Sequence, residues 1–252
     1  MNHASKCILS SKCTLANSES CNAHCGHFIA LHGLNGISGR VAGVNTPKDY
    51  RLVTASNSPA RAEQAEVYRA VDAYIKTFER QFDVEGAGGA STRVKSLYLF
   101  SGNPGTGKTT TASALLNEWL IAHYVGSIKR GLQPLQQPAY FVDVNAFQTD
   151  YNLATMTNDD AGMVAIKATI KRAQQAPFAV LDDIGVRSAS EAFRAYIHAI
   201  INYRTTNGLP TIYTSNLPIE DMAQVFDERL YDRMRDMCLE ISFVGESKRG
   251  RR

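Results

Sequence analysis

The stretch that most restricts the fold of this chain is Gly102-Asn103-Pro104-Gly105-Thr106-Gly107-Lys108-Thr109. It satisfies G-x-x-x-x-G-K-[ST]. An apolar run, Ser96-Leu97-Tyr98-Leu99-Phe100, precedes it, and a helical pattern opens after it at Thr110. Gly102, Gly105 and Gly107 let a backbone curl until several N–H groups converge on one anion, and a helix start adds its dipole. The segment therefore predicts a strand, a phosphate-binding turn and a helix in succession. Lys108 is placed to bridge the β- and γ-phosphates of a nucleotide and Thr109 to ligate Mg²⁺. Asn103, Pro104, Thr106 and Thr110 complete the cradle.

From Ser96 onward short apolar runs alternate with helical patterns, which predicts an α/β fold with a central parallel sheet flanked by helices. The strand candidates are Leu97–Phe100, Tyr140–Val144, Phe178–Leu181, Thr211–Thr214 and Leu239–Phe243. Helices are expected to begin near Lys108, Asn145, Met163 and Glu191, the last behind a Ser188-x-x-Glu191 capping box. Upstream, Val67, Val71, Tyr74, Ile75, Phe78 and Phe82 follow the spacing of one core-facing helix that stops at a Gly/Ala/Ser breaker. Ser127 to Pro138 reads as a loop. The chain divides into residues 1–46, a Cys/His-rich module; 47–95, a linker with an amphipathic helix; and 96–252, the α/β core.

A phosphate-binding loop needs a carboxylate at the end of a neighbouring buried strand. Phe178-Ala179-Val180-Leu181-Asp182-Asp183 supplies two acids, Asp182 for the metal and Asp183 to orient or deprotonate the attacking water. Asn216, just beyond Thr211-Ile212-Tyr213-Thr214, would stand beside the γ-phosphate.

The 252 residues carry 27 basic and 24 acidic side chains, a formal charge of +3, so contact with DNA would have to come from a local patch. Lys167, Lys171, Arg172 and the basic C-terminal tail are the candidates. The most apolar stretch, Ala114 to Val125, is interrupted by Asn117, Glu118 and His123, too short for a membrane span. The start of the chain lacks the pattern of a secretory signal, and a cytoplasmic location is the expectation.

Four of five cysteines fall in the first 25 residues: Cys7, Cys13, Cys21 and Cys25. In a reducing compartment such a cluster predicts thiols or metal ligands rather than disulfides. One Zn²⁺ on these four thiolates, with His24 or His27 as substitutes, would staple a segment poor in apolar residues.

The order of the phosphate loop, the Asp-Asp strand, the Thr214-Ser215-Asn216 strand end and an Arg-rich helix resembles the AAA+ ATPases. Within them it is similar to the DnaC/DnaI-type replicative helicase loaders of bacteria and phages, over about residues 47–252. Pro47-Lys48-Asp49-Tyr50-Arg51 resembles the short motif that precedes their ATPase core. Asn202-Tyr203-Arg204 followed by Leu209 to Asn216 resembles their passage into the sensor-1 position, Asn216. The resemblance implies an arginine finger in Glu228-Arg229-Leu230-Tyr231-Asp232-Arg233-Met234, Arg229 first and Arg233 in reserve, with Arg235 weaker. Such a finger completes the site of the next subunit. It also implies a sensor-2 arginine at Arg249 within Gly245-Glu246-Ser247-Lys248-Arg249. The implied activity is Mg-dependent ATP hydrolysis serving as a switch while a hexameric replicative helicase is placed on single-stranded DNA. A zinc-binding docking head is implied by the DnaI-type members. The transposition-associated IstB-type ATPases, which oligomerise on duplex DNA, share the core and stand as the alternative. A nucleotide-gated adaptor with incidental hydrolysis is a third reading.

Overall fold

A computed structural model describes residues 3–83, 93–185 and 189–246. Five strands, β1 (Ser96–Phe100), β2 (Ala139–Asp143), β3 (Phe178–Asp182), β4 (Thr211–Ser215) and β5 (Cys238–Ser242), form one sheet in the order β2-β3-β4-β1-β5. Every pairing is parallel, with Leu97 opposite Ile212 and Leu239, and Val180 opposite Ile212 and Phe141. The four strands β1–β4 are apolar on both faces because both faces are covered.

Alternation along the strands divides the interior in two. Leu97, Leu99, Phe141, Phe178, Val180 and Ile212 face one layer, and Tyr98, Tyr140, Val142, Leu181 and Tyr213 face the other. The second layer is built from α5 (Val144–Met156), α6 (Asp160–Gln175), α7 (Glu191–Thr206), α8 (Met222–Val225) and α9 (Glu228–Met237). Arg204, wholly buried at the end of α7, ties these pieces together. Its guanidinium donates to the carbonyls of Ala173, Ala176 and Pro210 at 2.7–2.8 Å and to Thr211 Oγ1 at 2.7 Å. Burial pulls its pKa down to about 10, leaving it charged at neutral pH.

The first layer is centred on α4 (Lys108–Lys129), which is buried nearly all round. A helix apolar on every side needs cover on every side. The sheet provides one wall, and the upstream residues provide the other. These include α1 (Gly26–His32), α2 (Gly39–Gly43) and α3 (Ala65–Ile75). Ile8, Leu9, Leu31, Val41 and Val44 share one core with Leu115, Leu116, Trp119 and Leu120. Polar contacts reinforce the junction. Lys12 Nζ meets the buried Glu118 carboxylate at 2.6 Å, and Asn117 Nδ2 donates to the carbonyls of Tyr50 and Val53 at 2.8 Å. Arg40 donates to the carbonyls of Ala30, Pro134 and Leu135. Phe141 N–H donates to Val44 O, and Asn45 Nδ2 to Phe141 O, so residues 44–45 cover the outer edge of β2.

Three sequence expectations are adjusted. The expected helix through Phe82 is α-helical only to Ile75 and winds as a tighter 3₁₀ helix over Lys76–Phe82. That segment inserts Phe78 against Tyr74, Trp119 and Phe178, at ring separations of 5.1–5.6 Å. Helix α4 continues to Lys129, which shortens the expected loop, because Tyr124 and Ser127 are still buried. Ser188 lies outside the described residues, and the cap of α7 is Ser190, whose Oγ accepts Phe193 N–H at 3.2 Å.

Candidate nucleotide site

The parallel sheet brings the ends of β1, β2, β3 and β4 to one edge, the place where open α/β sheets bind ligands. The loop between β1 and α4 has left-handed backbone at Gly105 (φ 73°) and Gly107 (φ 100°). At Gly107 a side chain is excluded twice, since a Cβ there would stand 2.7 Å from Ala60 Cβ. Gly102, Asn103 and Pro104 are exposed at the tip, whereas Thr106 is buried and Thr110 half-buried.

The side chains named from the sequence meet at this edge. Lys108 Nζ donates to Asn216 Oδ1 at 2.7 Å and to the carbonyls of Ser101 and Asn103 at 3.2 Å. Thr109 Oγ1 donates to the Asp182 carboxylate at 3.0 Å. Burial pushes the Asp182 carboxyl up to about 6; hydrogen bonds from Thr214 and Thr109 oppose the shift, and Asp143 and Asp183 add to it. A divalent cation between Thr109 and Asp182 would favour the ionised form, and this oxygen-donor pair suits Mg²⁺.

Asp183 follows in a left-handed turn, φ 60°, a conformation that costs energy in a residue with a Cβ. Two neighbours hold it. Its N–H donates to Thr214 Oγ1 at 2.8 Å, while the same hydroxyl donates to Asp182 Oδ1 at 2.7 Å. Its carboxylate accepts from Asn145 Nδ2 at 2.6 Å. One hydroxyl thus sets the spacing of the two acids. Asn145, Asp183, Ile184, Gly185, Ser215, Asn216 and Leu217 line a cavity of about 340 Å³ open to solvent.

Asn145 and Thr214 were not among the residues singled out for the site. Asn145 had a usable signal: it lies just past the end of the strand paired with β3, where Asp143 stands opposite Asp182.

The arginines divide. Arg229 is exposed near the start of α9, and its guanidinium has no hydrogen bond or ion pair among the described residues. Arg233 is engaged within its own chain by Asn202 and Thr206, and Arg235 by Asp232 at 2.9 Å. Asp227, the cap of α9, also meets His198 Nε2 at 2.8 Å. Arg249 lies outside the described residues.

The profile of the ATPase family associated with various cellular activities (AAA) matches residues 98–235, more than half of the chain. The chain belongs to the AAA family of ATPases. Among curated proteins it is 28% identical over 155 residues to the replicative helicase loader DnaC of Escherichia coli K12, covering 61% of this chain and 56% of that protein. It is 32% identical over 149 residues to the phage-like element PBSX protein XkdC of Bacillus subtilis strain 168, covering 57% of this chain and 48% of that protein. The chain thus spans about half the length of the curated relatives it matches. A crystal structure of the DnaC helicase loader superposes with a TM-score of 0.53 at 21% identity, over 79% of this chain and 100% of that one, and this likeness concerns the fold.

The cysteine-rich head has a different character. Cys7, Cys13, Cys21 and Cys25 are free and line one small cavity with His3, His27 and Phe28. Burial pushes the Cys7 thiol above its ordinary value, and the other three sulfurs add to the shift. Among the described residues no group of three or more His, Cys, Asp or Glu side chains is drawn together tightly enough to hold a metal ion. The cavity is a gathering of thiols rather than a finished coordination shell, and the expected zinc centre has no support from this geometry. Of the substitutes, His27 Nδ1 is 3.0 Å from Tyr124 Oη, and His24 is exposed. His32 is occupied elsewhere, its Nε2 accepting Ile8 N–H at 3.0 Å, and burial lowers its pKa to about 4.

Proposed function

We propose that this AAA-family protein is a Mg-dependent ATPase whose nucleotide state governs the placing of a hexameric replicative helicase on single-stranded DNA. The observation carrying the ATPase reading is the contact of Lys108 with Asn216, next to Thr109 on Asp182. A γ-phosphate seated there meets the ammonium, the sensor amide and the metal ligands together. Lys108 then neutralises the β- and γ-oxygens, and Thr109 and Asp182 hold Mg²⁺. Asp183, aimed by Asn145 and Thr214, orients the attacking water. The free guanidinium of Arg229 supports its assignment as the finger that completes a neighbouring subunit's site, in preference to Arg233.

The helicase half of the proposal draws on the relatives named above. Lys167 and Lys171 are exposed one turn apart on α6 next to Arg172, a local basic surface for single-stranded DNA. For the head we propose docking to the helicase; were Zn²⁺ bound there, Cys7, Cys13, Cys21 and Cys25, which line one cavity, would hold it and it would supply a structural crosslink. The soluble, cytoplasmic setting belongs to the same proposal. Among the described residues no helix is long and apolar enough to cross a membrane.

The test combines the protein with the hexameric helicase of its host and circular single-stranded DNA. Helicase-bound circles should accumulate with the protein and ATP. Accumulation equal to that of the helicase alone would contradict the loading role. Metal analysis of the same reduced protein tests the zinc expectation, and zinc-free protein that still loads would remove the metal from the proposal.

A further inference from the structure

The metal and γ-phosphate groups all lie on one flank of the phosphate loop. Asp182 ends β3 and Asn216 directly follows β4, and these strands stand to one side of β1; β5 stands on the other. A nucleotide whose terminal phosphate sits at Lys108 and Asn216 must lead its nucleoside half away from them, toward the β5 flank. There the residue just before α3, Gln64, is 5% exposed. Its Nε2 donates to Val244 O, beyond β5, at 2.7 Å and to Thr106 O of the loop at 3.3 Å. Ala60 packs against Gly107 on the same side.

These two carbonyls fix the amide. Turned over, it would set Oε1 against two carbonyl oxygens, so the nitrogen must face them and the oxygen must face away. Gln64 Oε1 is nevertheless buried and has no donor among the described residues, and the same holds for Thr106 Oγ1 beside it. Buried acceptors without donors are costly and rare, and each calls for a reason.

Building on the nucleotide reading above, we infer that Gln64 is a specificity residue of this site. Its Oε1 accepts a hydrogen bond from the nucleoside half of the nucleotide, either a ribose hydroxyl or the exocyclic amine of adenine. Both are donors, and the fixed amide presents only an acceptor to them.

Calorimetric titration of the full chain separates the two sources. The ligands are ATP, 2′-deoxyATP, 3′-deoxyATP, purine riboside triphosphate, which lacks the exocyclic amine, and inorganic tripolyphosphate. The analogue missing the donor that Gln64 reads should bind wild-type protein about tenfold more weakly than ATP. Gln64→Leu should weaken ATP by the same factor while leaving that analogue and tripolyphosphate unchanged. Equal binding of ATP and all three analogues to wild type would overturn the inference, and that arm needs no variant to fold. Equal weakening of tripolyphosphate by Gln64→Leu would also overturn it, reducing Gln64 to a brace for the loop. Wild-type protein that binds neither ATP nor tripolyphosphate would instead overturn the nucleotide reading itself.

Discussion

The nucleotide edge and the cysteine-rich head lie on the same core but are organised by different means. At the edge, backbone topology does the placing. Strands end together, and Lys108, Thr109, Asp182, Asp183, Asn145 and Asn216 meet at 2.6–3.0 Å because their strands do. In the head, short helical turns are pinned individually to distant parts of the chain. Ile8 N–H is held by His32, Lys12 by Glu118, and Arg40 by the carbonyls of Pro134 and Leu135. The lesson is one of separability. An edge residue can lose its chemistry while the fold stands, whereas a head residue trades directly in stability.

The largest effect should come from Arg229 on α9, proposed to complete this edge in a neighbouring subunit. Arg229→Ala is expected to lower ATP turnover by about 10³-fold in the assembled state, with an unchanged melting temperature. Mixing it with Lys108→Ala should restore part of the activity, since each variant supplies what the other lacks. Loss of folding in Arg229→Ala would erase the contrast between the two regions.

The head should respond to acid. The pKa of His32 is depressed from 6.5 to about 4, so its contribution to stability is complete above pH 6.5 and is lost as the pH falls through about 4. The shift corresponds to about 3 kcal/mol. Denaturant titrations at pH 7 and pH 4 should show that much less acid sensitivity in His32→Gln than in wild type. Equal sensitivity would mean that His32 is not the titrating pin.

Lys12→Ala should cost about 1–2 kcal/mol, because the ammonium is half exposed but its partner Glu118 is buried and, among the described residues, keeps only the Ala55 N–H, at 3.3 Å. Chemical denaturation measures it, and a neutral result would show that the apolar contacts of Ile8 and Leu9 hold the head by themselves.

The same division governs what could be read from the sequence. Strands β1 to β4 were legible because burial on both faces leaves unbroken apolar runs. The edge strand β5, exposed at Leu239 and Glu240, still showed as a short apolar run over Leu239–Phe243. Lys108, Thr109, Asp182 and Asn216 followed from their places at strand and helix ends. The left-handed turn at Asp183 did not, since a single φ leaves no spacing pattern, whereas Asn145, just past the end of β2, had the same positional signal as Asn216. Arg204 carried no sign that it would be buried against five backbone and side-chain acceptors. The head was the least legible, because Ile8, Leu31, Val41 and Val44 follow no period and acquire meaning only from the faces of α4 and β2 they cover.

The central claim is that these strand ends hydrolyse ATP, and steady-state turnover of the full chain with Mg²⁺ tests it most directly. Wild-type protein should release phosphate, and Asp183→Asn should reduce the rate by about 10²–10⁴-fold while still binding ATP. Turnover unchanged in Asp183→Asn, or absent from the wild type in every assembly state, would contradict it.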